Sequence, residues 1–357
     1  MNSSRSTIRE EVCSFSNLHK ALCICSVNVR WKDSVMRFSQ HSLSTVMALK
    51  ESLDDGTYKL SPYTNFVIHE PKTRLITSTR FKDRIFQRSL CDNYVYKELT
   101  KDFLPTNFAC QVDKGTDRAR ECLKSFMRQF HSSNKLNGFY LKVDLHDYFG
   151  STTHTVAKAA VSKRVPDKWA RDELFKIIDS FNPGTGKGIG LGSQVSQLIQ
   201  LAVLDDLDHF IVEQLGIKYY LRYMDDFILL HPSQKYLKEC LARIKLELDK
   251  LELTINEKKT MIQPLKHPIK FLGFSFLLHP TGRVTCKLLP KNYKAEKRKL
   301  RKLVKLIDDG ALTLNQVNEC FKSWWAHANK TDSRGMRLRM RSYYQSLLEN
   351  STALHRR

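Results

Sequence analysis

Two short apolar runs with an acidic pair between them form the clearest pattern in the chain. Residues 219–222 read Tyr-Tyr-Leu-Arg, residues 223–226 read Tyr-Met-Asp-Asp, and residues 227–230 read Phe-Ile-Leu-Leu. Apolar runs of this length, separated by a polar turn, predict the two strands of a hairpin. Adjacent carboxylates at its tip repel each other, and a divalent cation would remove that cost. The pattern therefore predicts a hairpin that presents Asp225 and Asp226 to a metal ion.

A third acidic position ends an apolar run upstream. Residues 139–144 read Phe-Tyr-Leu-Lys-Val-Asp, which predicts a buried strand that ends at Asp144 and is followed by a turn. Carboxylates from Asp144, Asp225 and Asp226 could converge on two Mg²⁺ ions. Such a pair of ions would activate a 3′-hydroxyl and stabilise a leaving pyrophosphate in an in-line displacement. An ordinary polar hairpin tip is the alternative for Asp225-Asp226, and the upstream strand argues against it.

Hydrophobic periodicity predicts further elements along the chain. Alternating residues predict strands at 66–68 and 74–76, joined by a turn at 70–73. Helical spacing predicts helices at 35–53, 198–212, 234–251 and 291–307.

Composition changes the picture by pointing to a polyanionic partner. The chain has 357 residues, 41% of them hydrophobic, which is enough for a sizeable core and several subdomains. Its formal net charge is +22, and residues 287–357 hold 17 Lys or Arg against 6 Asp or Glu. Excess cations repel each other unless phosphates screen them. We therefore expect nucleic acid to bind, and we expect the C-terminal part to be a basic module.

Cysteine usage and hydropathy indicate a cytoplasmic protein. The nine cysteines show no regular spacing, so we expect reduced, mostly buried thiols. No apolar run approaches the roughly 18 residues of a membrane span. The apolar stretch at 21–29 is short and contains Ser26 and Asn28, so it makes a poor signal peptide. We expect no membrane partner.

The acidic motifs together resemble those of reverse transcriptases. Tyr-x-Asp-Asp on a predicted hairpin follows a strand-ending Asp144 and the aromatic pair Tyr148-Phe149, in that family's order. The resemblance extends over roughly residues 70–340 and is closest to prokaryotic retroelement enzymes. It implies an α+β right-hand polymerase, with fingers, a palm with an antiparallel sheet, and a basic helical thumb. It also implies helices that begin at 83 and after the Lys-Gly-Thr turn at 114–116, and a short hairpin around residues 271–274. The implied domains are an N-terminal extension at 1–60, fingers at 61–138, palm at 139–285 with fingers helices inserted around 151–183, and thumb at 286–357.

The resemblance also implies roles for individual residues. The two Mg²⁺ ions, for which Mn²⁺ could substitute, would be held by Asp144, Leu145, Asp225 and Asp226, and Lys259 would donate a proton to pyrophosphate. Phe149, with Tyr148 as the second choice, would exclude ribonucleotides by a clash at the sugar 2′ position. Further nucleotide contacts are expected from Lys72, Arg74, Leu191, Gly192 and Gln197. Nucleic-acid contacts are expected from Lys114, Tyr223, Met224, Gly273, Lys297, Arg298, Arg301 and Lys302. A solvated surface is the alternative for the basic residues, and core packing is the alternative for the two aromatic rings.

One departure from the family pattern concerns fidelity. Where these enzymes usually read Gln-Gly-x-x-x-Ser-Pro, this chain reads Leu191-Gly192-x-x-x-Ser196-Gln197. Leu191 cannot hydrogen-bond a nascent base pair, and a lost contact of about 1 kcal/mol changes discrimination roughly fivefold. The block resembles the enzymes of diversity-generating retroelements, although Gly190 stands where that group commonly has Pro.

Several biological roles stay open at this point. The expected partners are a structured noncoding RNA template, its cDNA and dNTPs, with an accessory protein or an oligomer as a further option. Diversity-generating and antiphage defence enzymes are both compatible with the motifs. A non-catalytic RNA-binding scaffold is disfavoured because no metal carboxylate is lost. A maturase fragment of a group II intron is disfavoured because the Ser196-Gln197 block departs from the intron pattern.

Overall fold

The computed structural model describes residues 7–69 and 73–351. Its first helices are α1 Ile8–Val12, α2 Phe15–Ser26, α3 Asp33–Gln40 and α4 Ser42–Asp54. The single helix predicted at 35–53 is therefore two helices with a break at His41. At the break the Thr45 hydroxyl donates to the carbonyl of Phe38 (3.3 Å), a backbone acceptor that a continuous helix would have paired with an amide. The predicted end of this segment before Gly56 is confirmed.

The hairpin predicted near residue 70 is present. Strands β1 Thr64–Ile68 and β2 Arg74–Ser78 pair antiparallel, from Thr64 opposite Ser78 to Ile68 opposite Arg74. Lys72, at its predicted turn, lies outside the described residues. Helix α5 Phe81–Leu90 follows, as predicted from Asp83, and continues through a π-helical turn into α6 Tyr96–Thr100.

The central part of the chain carries the predicted acidic strand. Its elements are α7 Thr116–Asn134, β3 Phe139–Asp144, α8 Tyr148–Ser151, α9 His154–Arg164, α10 Lys168–Ser180, α11 Gln194–Val203, α12 Asp205–His209, β4 Tyr219–Tyr223, β5 Asp226–His231, α13 Gln234–Lys250 and β6 Met261–Pro264. The helix predicted at 198–212 begins earlier and breaks at Leu204. Directly after the break, Asp205 forms a buried ion pair with Arg164 at 2.8 Å, and this tertiary contact fixes the chain there. Residues 210–214 then form a π-helical turn.

Strands β3 to β6 form a four-stranded sheet in the order β4-β5-β3-β6. The apolar residues of the predicted hairpin are buried in it, including Leu221, Phe227 and Ile228. Burial of these apolar side chains fixes the register in which the two strands of the hairpin pair. The polar residues therefore remain at the tip of the hairpin.

The C-terminal elements confirm the predicted short hairpin and basic helix. Strands β7 Ile269–Phe271, β8 Phe274–Leu278 and β9 Val284–Leu288 form an antiparallel sheet in chain order. Helices α14 Pro290–Asp308, α15 Leu314–Asn329 and α16 Arg334–Glu349 follow. The three helices share a small core of Leu300, Val304, Ile307, Val317, Met340 and Tyr344. Together, these helices and antiparallel sheets confirm the α+β class.

Two compact units divide the chain. The first comprises residues 1–115, 142–227 and 238–261, and the second comprises 116–141, 228–237 and 262–357. Every predicted metal ligand belongs to the first unit, whereas the short hairpin and the basic helix belong to the second. The domain boundaries expected from the sequence stay a prediction. None of the helices in the described ranges has the length and hydropathy of a membrane span.

Candidate active site

The hairpin tip and the end of β3 bring the predicted carboxylates together. Met224 has a left-handed φ of 55°, which turns the chain between β4 and β5. The Leu145 amide donates to the Asp225 carbonyl at 3.3 Å, and the Asn256 amide donates to the Asp144 carbonyl at 2.7 Å. These backbone contacts place the residue after Asp144 beside Asp225, so acids that lie some 80 residues apart in sequence share one site.

A buried ion pair beneath the tip braces this arrangement. Arg222 and Asp208 are both 0% exposed, and the guanidinium donates to the carboxylate through Nε (2.7 and 2.9 Å) and Nη2 (2.6 Å). Its Nη1 donates to the carbonyl of Met224 at 3.1 Å, and Nη2 also reaches the carbonyl of Leu201 at 3.1 Å. Every guanidinium nitrogen thus has an acceptor, which is what a charge this deeply buried requires. Arg222 therefore ties the turn that carries Asp225 to the helices behind it.

Two lysines face the carboxylates. Lys142 Nζ lies 2.8 Å from Asp226 Oδ2, and Lys259 Nζ contacts Asp144 Oδ1. Burial raises the pKa of the Asp225 carboxyl, and the nearby charge of Asp144 adds to that shift. Burial also raises the pKa of Asp226 to about 6, against the opposing charge of Lys142. The site therefore holds more negative charge than its surroundings stabilise, which is typical of functional carboxylates.

The carboxylates fit divalent cations in their chemistry. Carboxylate oxygens are the hard donors that Mg²⁺ and Mn²⁺ prefer. Asp226 Oδ1 is buried and has no hydrogen-bond partner among the described residues, so one ligand atom is available. Within the same residues, no group of three or more His, Cys, Asp and Glu side chains is spaced to hold an ion as it stands. Lys259 on Asp144 and Lys142 on Asp226 supply positive charge in this arrangement.

The two aromatic candidates differ in accessibility. Tyr148 is 3% exposed, and its hydroxyl donates to the carbonyl of Gln200, so its ring belongs to the core beneath the site. Phe149 is half-buried, and its carbonyl accepts from the Ile189 amide at 2.8 Å. The structure therefore leaves Phe149 as the ring that a nucleotide could reach, and Tyr148 as its support.

The remaining nucleotide candidates gather around β2 and α11. The Thr77 amide donates to the Leu191 carbonyl at 3.2 Å, and a Cβ added to Gly192 would lie 3.3 Å from the Thr77 carbonyl. Gly192 has a φ of 128°, so this close approach requires glycine. Arg74 is exposed, and its charge acts on Asp225. Gln197 accepts a hydrogen bond from the Cys110 thiol at 3.3 Å.

The predicted nucleic-acid contacts fall into different environments. Lys114 Nζ donates to the carbonyls of Asn107 (2.8 Å) and Leu104 (3.3 Å), so its own loop engages two of its three N–H donors. Burial lowers the pKa of Lys114. Tyr223 and Met224 are half-buried at the hairpin tip.

In the second unit, the short hairpin and the basic helix show distinct surfaces. Gly273 has a φ of 84°, and its carbonyl accepts from Asn292 Nδ2 at 3.0 Å. Lys297 lies 4.0 Å above the ring of Tyr343, so part of its charge is used in a cation–π contact. The other three predicted cations, Arg298, Arg301 and Lys302, are exposed.

Sequence reasoning missed the residues that support the site. Lys142, Arg222 and Cys110 each touch a predicted site residue, and Asp208 holds Arg222 in place. The signal for Lys142 and Arg222 was a cation inside an otherwise apolar strand, which is costly unless an acid pairs with it. Asp208 and Cys110 gave no comparable signal.

Comparison with protein families finds a match that covers this site. Residues 68–276 match the family described as reverse transcriptase (RNA-dependent DNA polymerase), a span that exceeds half of the chain and contains all three carboxylates. No curated protein matches the chain.

Comparison with solved structures finds telomerases. Telomerase from Candida albicans, in complex with a TWJ fragment of telomeric RNA, has a TM-score of 0.51 and 13% identity over 87% of this chain and 59% of that chain. Two telomerase structures from Candida tropicalis have TM-scores of 0.47 (apo, truncated from the C-terminal domain; 15% identity, 68% of this chain and 60% of that one) and 0.49 (apo; 12% identity, 83% and 62%). This chain thus spans about three fifths of the telomerase chains. The Candida albicans similarity confirms the expected right-hand polymerase fold.

Proposed function

Because this chain belongs to the reverse transcriptase family, whose members are RNA-directed DNA polymerases, we propose that it copies a dedicated noncoding RNA into cDNA. The observation that carries the proposal is the meeting of Asp144, Asp225 and Asp226 at one site, with burial raising the pKa of the two hairpin acids. A non-catalytic scaffold would have no need to keep three carboxylates together at such a cost.

The side chains around the carboxylates have separable roles in this reaction. Two Mg²⁺ ions, when bound by Asp144, Asp225, Asp226 and the backbone of Leu145, would activate the primer 3′-hydroxyl and neutralise the leaving pyrophosphate. Phe149 would exclude a ribose 2′-hydroxyl by steric clash. Arg74 would attract the triphosphate, since its charge already acts at Asp225. Lys259 would release Asp144 and donate a proton to pyrophosphate.

The strands of nucleic acid would lie on other surfaces. Gly273, at the tip of its hairpin, would allow the backbone of the primer strand to approach closely. Arg298, Arg301 and Lys302 on α14 would contact phosphates of the duplex, with Lys297 beside them. Tyr223 and Met224 would contact the primer end. The Candida albicans telomerase was solved with a fragment of RNA, which supports an RNA partner for the shared fold.

The biological setting that we favour is a prokaryotic, cytoplasmic diversity-generating retroelement. Leu191 supports it, because an apolar side chain replaces the amide that would check the nascent pair, and the resulting errors would diversify a gene segment. Antiphage defence with a noncoding RNA is the alternative, and the site described above serves it equally. In either setting, an accessory protein or oligomer could complete the enzyme.

The test is to sequence the nucleic acid that copurifies with the protein from its native host. The wild type is compared with an Asp225→Ala/Asp226→Ala variant and with the matched control Asp249→Ala, an exposed acid on α13. We expect one abundant noncoding RNA with complementary DNA in the wild type and the control, and RNA alone in the double variant. Adenine-directed errors in the DNA would support diversification, whereas faithful or repeated copies would support defence. RNA without DNA in all three proteins would overturn the polymerase proposal.

A further inference from the structure

Cys110 lies in a loop that is hydrogen-bonded to the hairpin carrying Asp225 and Asp226. The Arg222 amide donates to the Thr106 carbonyl at 3.0 Å, and the Phe108 amide donates to the Arg222 carbonyl at 3.0 Å. Residues 106–108 thus pair with β4 immediately before Tyr223. Cys110 and Tyr223 lie near enough to influence each other electrostatically. A displacement of this loop would therefore also displace the hairpin tip.

The same loop is closed on itself. The Gly115 amide donates to the Phe108 carbonyl at 2.8 Å. The Asn107 carbonyl accepts from Gln111 Nε2 and Lys114 Nζ, both at 2.8 Å. These bonds hold Cys110 at a φ of 50°, a left-handed conformation that costs about 1 kcal/mol or more for a residue with a Cβ. The loop therefore presents Cys110 in a fixed place.

The Cys110 thiol donates to the side-chain oxygen of Gln197 at 3.3 Å. Cys110 is exposed, so water could satisfy the thiol, and the contact is not forced by burial. Gln197 lies in the first turn of α11. The loop before this helix contains Leu191 and Gly192, and the Leu191 carbonyl accepts a hydrogen bond from the Thr77 amide of β2. With its oxygen engaged, the Gln197 amide has fewer orientations, and its NH₂ group stays available as a donor.

We propose that Cys110 is a positioning residue that orients the Gln197 amide toward the nascent base pair and so makes nucleotide selection stricter. The inference rests on the proposed polymerase function. It gives Gln197 a defined geometry in a block where the side chain of Leu191 has no polar group, so the Cys110–Gln197 contact would supply a polar check on the base pair. Loss of a hydrogen bond of this kind changes a binding equilibrium by roughly three- to tenfold.

Single-nucleotide insertion on a defined RNA template with a DNA primer tests the proposal. The variants are Cys110→Ala, Cys110→Ser and Gln197→Ala, and Cys23→Ala, another exposed cysteine, is the matched control. We expect Cys110→Ala to raise KM for the correct dNTP and the ratio of wrong to correct insertion by roughly threefold or more, with kcat little changed. Ser keeps a donor and should retain most of the discrimination. In the Gln197→Ala background, Cys110→Ala should have no further effect.

A second measurement needs no catalysis. Alkylation of each cysteine by iodoacetamide is followed by mass spectrometry in the wild type and in Gln197→Ala. We expect Cys110 to be alkylated faster in Gln197→Ala than in the wild type. Adding dNTP and a template annealed to a chain-terminated primer should slow the alkylation of Cys110. The alkylation of Cys23 should not change in either case.

The outcomes separate this inference from the proposed function. Wild-type kinetics in Cys110→Ala, or an effect that adds in full to that of Gln197→Ala, would overturn the positioning role while the polymerase stands. A wild type that inserts no nucleotide would overturn the proposed function, and the role in selection would fall with it, even if Gln197→Ala accelerates the alkylation of Cys110.

Discussion

Replacing Asp208 by Asn tests whether the buried Asp208–Arg222 ion pair holds the hairpin that carries Asp225 and Asp226. The change keeps the size of the side chain but leaves Arg222 charged at a position with no solvent exposure. Breaking one side of a buried pair costs about 3–5 kcal/mol, because the remaining charge is uncompensated. The Arg222 guanidinium makes three of its contacts with this one carboxylate, so we expect a loss at the upper end of that range.

Urea unfolding followed by circular dichroism measures the effect, with Asp206→Asn as the matched control. Asp206 lies two residues away, also pairs with an arginine (Arg164, 3.0 Å), and is 60% exposed. Asp206 is largely solvated, and Arg164 keeps its buried partner Asp205 (2.8 Å), so the loss should be at most about 1 kcal/mol and the control should unfold almost like the wild type. Because Arg222 also holds the Met224 carbonyl, the folded fraction of Asp208→Asn should extend primers more slowly. Equal losses of stability in the two variants would refute the reasoning that burial sets the cost.

Three further predictions concern the reaction and its substrates. Asp144→Asn should lower primer extension by at least about a thousandfold, because several kcal/mol of transition-state stabilisation are lost, and substantial extension by the folded variant would remove Asp144 from the site. Phe149→Ala should raise the insertion of ribonucleotides relative to deoxynucleotides at least about tenfold in competition assays. Tyr148→Phe, which changes a buried ring, should leave this ratio unchanged, and the reverse result would exchange the roles of the two residues. Replacing Arg298, Arg301 and Lys302 by Ala should weaken duplex binding and reduce the slope of the logarithm of the binding constant against the logarithm of the salt concentration by about 2–3. Lys168→Ala, at an exposed lysine on α10, is the control, and an unchanged slope in the triple variant would show that this helix face does not contact phosphates.

The supporting residues explain why parts of the site escaped sequence reasoning. Arg222 is paired with an acid on a preceding helix, and Lys142 is paired with an acid on another strand, so neither partner lies within one turn or one hairpin of its cation. Tyr148 and Phe149 are neighbours with the same local pattern, and only their surroundings bury one and leave the other accessible. Lys114 looked like a phosphate contact, yet its own loop engages the amine.

Local sequence alone determined the elements that short-range physics specifies. The Asp-Asp hairpin, the acidic strand β3 and the basic helix α14 follow from alternation, helical periodicity and turn chemistry within some twenty residues, and each was predicted and is present. Only the tertiary structure decided where helices break, as at His41 and Leu204, and which distant groups meet, as Arg222 meets Asp208 and Cys110 meets Gln197. The physical reason is that burial and ion pairing depend on neighbours far away in the chain, which no local pattern encodes.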